Sequence, residues 1–265
     1  MNDLKTRTTP LLLIFLICLP LSSEAQENAR FVFGEEVVQE DIEDVISNII
    51  EGISWHMGTE EFLEHYYSHL MSTYRRNIAG MRDPLRIDDI RRDYEDQYER
   101  VLNSQEQFNG TRTGYEVSVL GGEIAAGNDE GMFTLRTDDA NVYFIFTADQ
   151  LFKTVIAYNE SLLGNMPFGE FIEILESKYG PLDATETELD EMNLPYLARA
   201  EWQNIETRLR VENQSNLFGA FILVFSSTDL EDRVSRLRGP SGASEQTGVS
   251  VSDLIQSLGH GGNLE

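Results

Sequence analysis

The chain has 265 residues, with 46 acidic side chains against 20 basic ones and a formal net charge of −26. A field of that sign repels phosphate backbones and anionic headgroups, which argues against nucleic acid or a lipid surface as a partner. The single cysteine, Cys18, falls near the start, so the remainder carries no disulfide, thiol nucleophile or cysteine-type zinc site and must be stabilised by packing.

Residues 1–25 read as a secretory signal peptide. Lys5 and Arg7 precede an apolar run from Leu11 to Leu21, too short to span a bilayer, and Ser23-Glu24-Ala25 places small residues at −3 and −1 of a cleavage point after Ala25. The expectation is an exported protein, periplasmic or extracellular, with no membrane insertion after the signal is cut. Ile17 stands where a lipoprotein signal has a small residue, so Cys18 is not expected to carry a lipid. Beyond Ala25 only Lys153 and Lys178 remain as lysines. This imbalance fits solubility in salty surroundings, and a cation-binding or basic-partner surface is the functional alternative.

Residues 26–110 carry a helical pattern. Val38, Ile42, Val45, Ile46, Ile49, Ile50 and Ile53 recur at three and four and predict a first amphipathic helix, broken at Gly58. Thr59 is positioned to cap a second helix, with Glu60 and Glu61 in its first turn and Phe62, Tyr66, Leu70, Tyr74 and Ile78 four apart. Asp83-Pro84 opens a third helix, carried by Ile87, Ile90, Tyr94, Val101 and Leu102 as far as Asn109-Gly110. The tyrosines on these faces, Tyr66, Tyr67, Tyr74, Tyr94 and Tyr98, are expected in the core with their hydroxyls reaching water.

From 111 to 238 the period shortens to two. Strands are predicted at Tyr115–Leu120, Met132–Thr137, Val142–Thr147 and Leu151–Tyr158, with turns between them that make antiparallel neighbours. A helix with Phe168, Phe171, Ile172, Leu175 and Tyr179 on one face stops at Gly180-Pro181. An acidic loop, Asp183 to Glu191, leads to strands near Arg199–Asn204, Thr207–Glu212 and Ala220–Ser226. In the last of these both parities are apolar, which predicts a central strand covered on both faces. Leu135-Arg136, Tyr143–Phe146 and Ala148–Leu151 parallel Leu209-Arg210, Ile222–Phe225 and Thr228–Leu230, which suggests two helix-plus-meander units. Residues 239–265 form a flexible tail: a Gly/Ser/Pro-containing linker, then Val251, Leu254, Ile255 and Leu258 at the spacing of a short amphipathic helix. Such a segment needs a surface, a partner's groove or this protein's own body, and these four residues are the candidate partner-binding set.

Catalytic signatures are sparse. The histidines are His56, His65, His69 and His260, and no nucleophile elbow, Ser-x-x-Lys, phosphate-cradling loop or His-Glu-x-x-His occurs. Glu61, His65 and His69, at i, i+4 and i+8, are the one candidate metal set, because that spacing strings three donors along one helical stripe. The acid-rich loop at 183–191 lacks the register of an EF-hand and reads as a solvated loop.

The helix ending Lys178-Tyr179-Gly180-Pro181, a polar loop and Glu201-Trp202 on a following strand resemble the αβββ module of BamE-type envelope proteins and β-lactamase-inhibitor-like secreted proteins, over residues 165–226. The resemblance implies a binding role without catalysis or cofactor. The expected fold is α+β, an N-terminal helical layer with antiparallel sheet. The expected function is that of an exported, non-enzymatic binding or adaptor protein acting through another envelope or secreted protein. A hydrolase or metal-dependent enzyme using His65 and His69 is the alternative.

Overall fold

In a computed structural model, residue 50 and residues 52–242 are described, apart from 110–113, 116–117, 126–128, 160–162, 164–165 and 191. The leader, most of the first helix and the tail with Val251, Leu254, Ile255 and Leu258 therefore lie outside the described residues.

Helix α1 (Thr59–Ile78) buries Phe62, Tyr66, His69 and Leu70, the face that the spacing of four selects. Its N-cap is Gly58 rather than Thr59, and the cap is supplied from another part of the chain. Asp149 Oδ1 accepts from the Thr59 backbone N–H at 2.9 Å and from Thr59 Oγ1 at 2.6 Å. Helix α2 (Pro84–Leu102) starts as its sequence dictates: Asp83 accepts from the Leu85 N–H at 3.0 Å, and Pro84 occupies the first turn, where no N–H is missed.

Eight strands follow: β1 (Glu106–Gln107), β2 (Glu130–Arg136), β3 (Ala140–Thr147), β4 (Gln150–Tyr158), β5 (Ala184–Leu189), β6 (Pro195–Gln203), β7 (Thr207–Gln214) and β8 (Ala220–Ser227). Between them lie α3 (Phe168–Tyr179) and the single turn α4 (Ser215–Phe218), and α5 (Thr228–Gly242) closes the described chain, its side chains described to Arg236. All strands join one antiparallel sheet in the order β1-β2-β3-β4-β8-β7-β6-β5. Each half is a helix-led meander of four strands, and the halves meet where β4 pairs β8, with Tyr158 opposite Phe221 and Lys153 opposite Ser226. The fold is α+β. By this topology β4 corresponds to β8 and β3 to β7, so the internal likeness seen in the sequence, which set Tyr143–Phe146 beside Ile222–Phe225, is out by one strand.

Helices α1, α2 and α3 share one face of the sheet. Phe62 on α1 packs on Phe133, Phe144 and Phe146 at ring separations of 4.8–5.5 Å, and Phe168 and Phe171 on α3 pack on Phe221 at 5.1 and 5.2 Å. Tyr179 meets Trp202 edge-on, and Trp202 Nε1 donates to the Gly180 carbonyl at 2.8 Å, so Tyr179 and Gly180 both touch Trp202. A second apolar cluster lies on the opposite face, where Phe108, Leu120 and Ile124 and the α5 residues Leu230 and Val234 cover β2, β3, β4 and β8. Strand β8 is thus buried on both faces, as its double apolar parity requires.

Three local expectations are corrected. In Tyr115–Leu120 the described residues are turns, because Ser118 Oγ bonds the Tyr115 carbonyl and accepts from the Leu120 N–H, a local arrangement that competes with a ladder. The acidic stretch 183–191 contains a strand, β5, exposed along its whole length; its threonines and glutamates alternate at a sheet edge, where charge is tolerated. Residues 239–242 of the expected linker belong to α5.

Candidate functional site

The register places three turns and one strand end along one rim of the sheet. Antiparallel pairing sets Ala140 beside Tyr158, Tyr158 beside Phe221, Ala220 beside Gln214, and Leu189 beside Pro195. The β2–β3 turn, the end of β4, α4 and the tip of the β5–β6 hairpin therefore share this edge.

The hairpin tip is fastened by its own sequence. Asp190 Oδ1 accepts from the backbone N–H groups of Met192 and Leu194, both at 2.8 Å, and the Asp190 N–H donates to the Leu194 carbonyl at 2.9 Å. Asn193, at φ 58°, takes the left-handed conformation that asparagine tolerates well. The turn holds Leu189, Met192 and Leu194 out in solvent, Met192 at 77% exposure. Two strands away α4 does the same: Asn213 Oδ1 accepts from Ser215 Oγ at 2.6 Å, Gly219 at φ 63° closes the turn, and Leu217 and Phe218 stand 67% and 41% exposed. Phe218, Gly219 and Ala220 then wall a partly open cleft of about 460 Å³ with Tyr143, Ala157, Asn141, Asn159 and the cover residues Ser118 and Val119. Burial, helped by Tyr115 and opposed by Arg136, raises the Tyr143 hydroxyl above its ordinary pKa. Asp138, Asp139, Glu188 and Asp190 surround the rim, and the Tyr196 hydroxyl donates to Glu188 at 2.9 Å.

Below the rim, the face opposite α1, α2 and α3 carries a row of alternating charges. Glu186 meets Arg199 at 2.8 Å, Arg199 meets Glu212 at 3.2 Å, and Glu212 meets Arg210 at 2.8 Å. Arg210 bonds Glu123, Glu123 meets Lys153 at 2.8 Å, Lys153 reaches Glu231 at 3.5 Å, and Glu231 meets Arg208 at 3.3 Å. Ser226 Oγ also donates to Glu231, at 2.6 Å. Burial works against charge on Glu123, but Lys153 and Arg210 outweigh it and bring the carboxyl down to about 2. Lys153, 3% exposed and engaged by two carboxylates, ties the cover segment and α5 to the sheet.

The residues singled out from the sequence are scattered. Glu61 is exposed, His65 lies against the backbone of Gly52, and His69 is buried with Nε2 3.5 Å from Thr73 Oγ1. The structure does not bring these three together, and among the described residues no group of three or more His, Cys, Asp or Glu side chains is arranged to hold a metal ion. His56 Nε2 approaches Asp229 Oδ1 at 3.4 Å, and Asp229 also accepts from Ser227 Oγ at 2.6 Å. The acid sits between the other two, so the imidazole does not face the hydroxyl and this trio cannot activate a nucleophile. Of the helix tyrosines, Tyr66 and Tyr94 are core; the Tyr66 hydroxyl is buried without a hydrogen-bond partner among the described residues and its pKa is pushed up by burial, while Tyr94 accepts from Asn77 at 2.6 Å. Sequence reading missed the rim and the charge row. The one advance signal was the Leu-Asp-Glu-Met-Asn-Leu stretch at 189–194, which mixes turn formers with large apolar residues.

Among the described residues no helix is long and apolar enough to cross a membrane. No protein-family pattern matches the chain, and no curated protein is significantly similar to it. One solved structure, a cysteine-rich secretory protein from Staphylococcus aureus, is similar over about half of either chain, at 4% identity and a TM-score of 0.22, which carries no argument about fold or function.

Proposed function

We propose that this is an exported, non-enzymatic binding or adaptor protein of the cell envelope, working through contacts with another envelope or secreted protein. The observation that supports this reading is the rim: Leu189, Met192, Leu194, Leu217 and Phe218 are exposed together on turns fixed by their own hydrogen bonds. Large apolar side chains presented on rigid supports lose little freedom on docking. The signal-like opening of the sequence supports export, and the amphipathic stretch Val251, Leu254, Ile255 and Leu258 supplies a second candidate contact.

A photo-crosslinking residue placed at Met192 or at Leu217 in the full chain, expressed in its native envelope, tests the proposal. The same covalent adduct is expected from both positions and not from Leu85, an exposed leucine at the start of α2. Adducts absent from both rim positions, or equally strong from Leu85, would overturn it.

A further inference from the structure

The rim has a length, a chemistry and a charge, and together these describe an occupant. From β3 to β5 the sheet order gives five strand steps, about 24 Å at roughly 4.8 Å per step, the reach of about seven extended residues. A small molecule in the cleft would leave Leu189, Met192 and Leu194 uncovered, whereas a polypeptide crossing the rim covers cleft and hairpin tip together. The cleft beside Phe218 is lined by uncharged side chains and is large enough for a bulky apolar group. Along the rim Asp138 and Asp139 lie in the β2–β3 turn beside the cleft, and Glu188 and Asp190 lie at the hairpin tip, with the exposed Arg136 at the close of β2. Acids placed along an apolar rim steer a cationic segment toward it and turn anionic ones away.

We propose that the rim binds a basic segment of another polypeptide, with one large apolar or aromatic side chain of that segment seated in the cleft beside Phe218 and its Lys or Arg residues facing the four acids. This rests on the binding function proposed above and names the partner's chemistry. The field of the whole chain, at −26, adds to the same preference.

The test is selection of a phage-displayed library of random twelve-residue peptides against the full chain, followed by fluorescence anisotropy of the enriched peptides. The expected result is enrichment of peptides carrying two or more cations around an aromatic or large aliphatic residue. Their affinity should fall at least ~30-fold in a Met192→Ser/Phe218→Ser variant and stay unchanged in Leu85→Ser. Raising salt from 50 to 500 mM should weaken them several-fold, because that contact is partly ionic. Enrichment of acidic or uncharged sequences, affinity indifferent to the rim substitutions, or no enrichment at all would overturn the proposal. The rim crosslinks at Met192 and Leu217 report separately on the binding function, so a failed selection with crosslinks intact rejects the basic peptide alone. Circular dichroism of both variants guards against loss of fold; should Met192→Ser/Phe218→Ser unfold, Met192→Ser alone, at the hairpin tip, replaces it.

Discussion

Replacing Glu123 by Gln removes one charge from the buried row and keeps its shape. Glu123 meets Lys153 at 2.8 Å and also bonds Arg210, and these partners take its carboxyl from an ordinary 4.5 to about 2 against the opposing effect of burial. A fall of that size corresponds to about 3 kcal/mol at roughly 1.36 kcal/mol per unit. The folded pKa is the lower one, so the stabilisation is fully present above 4.5 and is lost as the pH falls through about 2. Gln stands for the protonated acid. The prediction is that Glu123→Gln lowers unfolding free energy by about 3 kcal/mol at pH 7 and by under about 1 kcal/mol near pH 2.5. Urea titration followed by fluorescence reads both, because Trp55 bonds Thr207 Oγ1 and Trp202 bonds the Gly180 carbonyl, each at 2.8 Å, and both contacts end on unfolding. A loss at pH 7 below about 1 kcal/mol, or one that does not change with pH, would refute the reasoning. In the first case Glu231 and Glu212 suffice for Lys153 and Arg210; in the second the loss is one of packing.

Further outcomes are expected. Phe62→Ala should cost about 3–5 kcal/mol by the same titration, since Phe62 is fully buried against Phe133, Phe144 and Phe146; a loss under about 1 kcal/mol would show that the helical layer does not anchor the sheet. Asp149→Ala should cost about 1 kcal/mol through the cap it lends to α1, with faster hydrogen exchange at the Thr59 amide, and unchanged exchange there would remove the capping role. Gly52→Ala should lower the melting temperature: Gly52 has φ 87°, and a Cβ there would lie 2.6 Å from His65 Nδ1. An unchanged melting temperature would mean that the segment before α1 yields freely.

Periodicity and turn chemistry made most of the elements legible. The repeat of four in Phe62–Ile78, the Asp-Pro start of α2, the apolar face of α3 with its Gly180 stop, and the strands from Met132 to Phe225 other than β5 record local rules, and the structure carries them. Tertiary context decided the rest. Strand β5 has the composition of a loop and becomes a strand because β6 offers it an edge to pair with. Helix α5 is polar except for a few positions such as Leu230 and Val234, too short an apolar pattern to announce itself. The charge row joins residues more than eighty apart, Glu123 with Arg210, and the rim joins three turns and the end of β4, so neither exists at the level of a window of sequence. Glu61, His65 and His69 show the converse: a regular spacing along one helix does not by itself converge on a point.

The meeting of β4 with β8 sets an order of events during folding. Within each half, neighbouring strands other than β1 and β2 are joined by short turns, whereas Lys153 finds Ser226 only after more than seventy residues have been arranged between them. Loop closure over that distance is slow, so the two meanders are expected to form first and to expose, for a time, two long apolar strand edges. Those edges, Thr154–Tyr158 and Phe221–Phe225, are as able to pair with another chain as with each other. Mutual repulsion between chains of net charge −26 disfavours the intermolecular pairing while leaving the intramolecular one within reach, so the acidity of the chain protects it while the central pairing is still open.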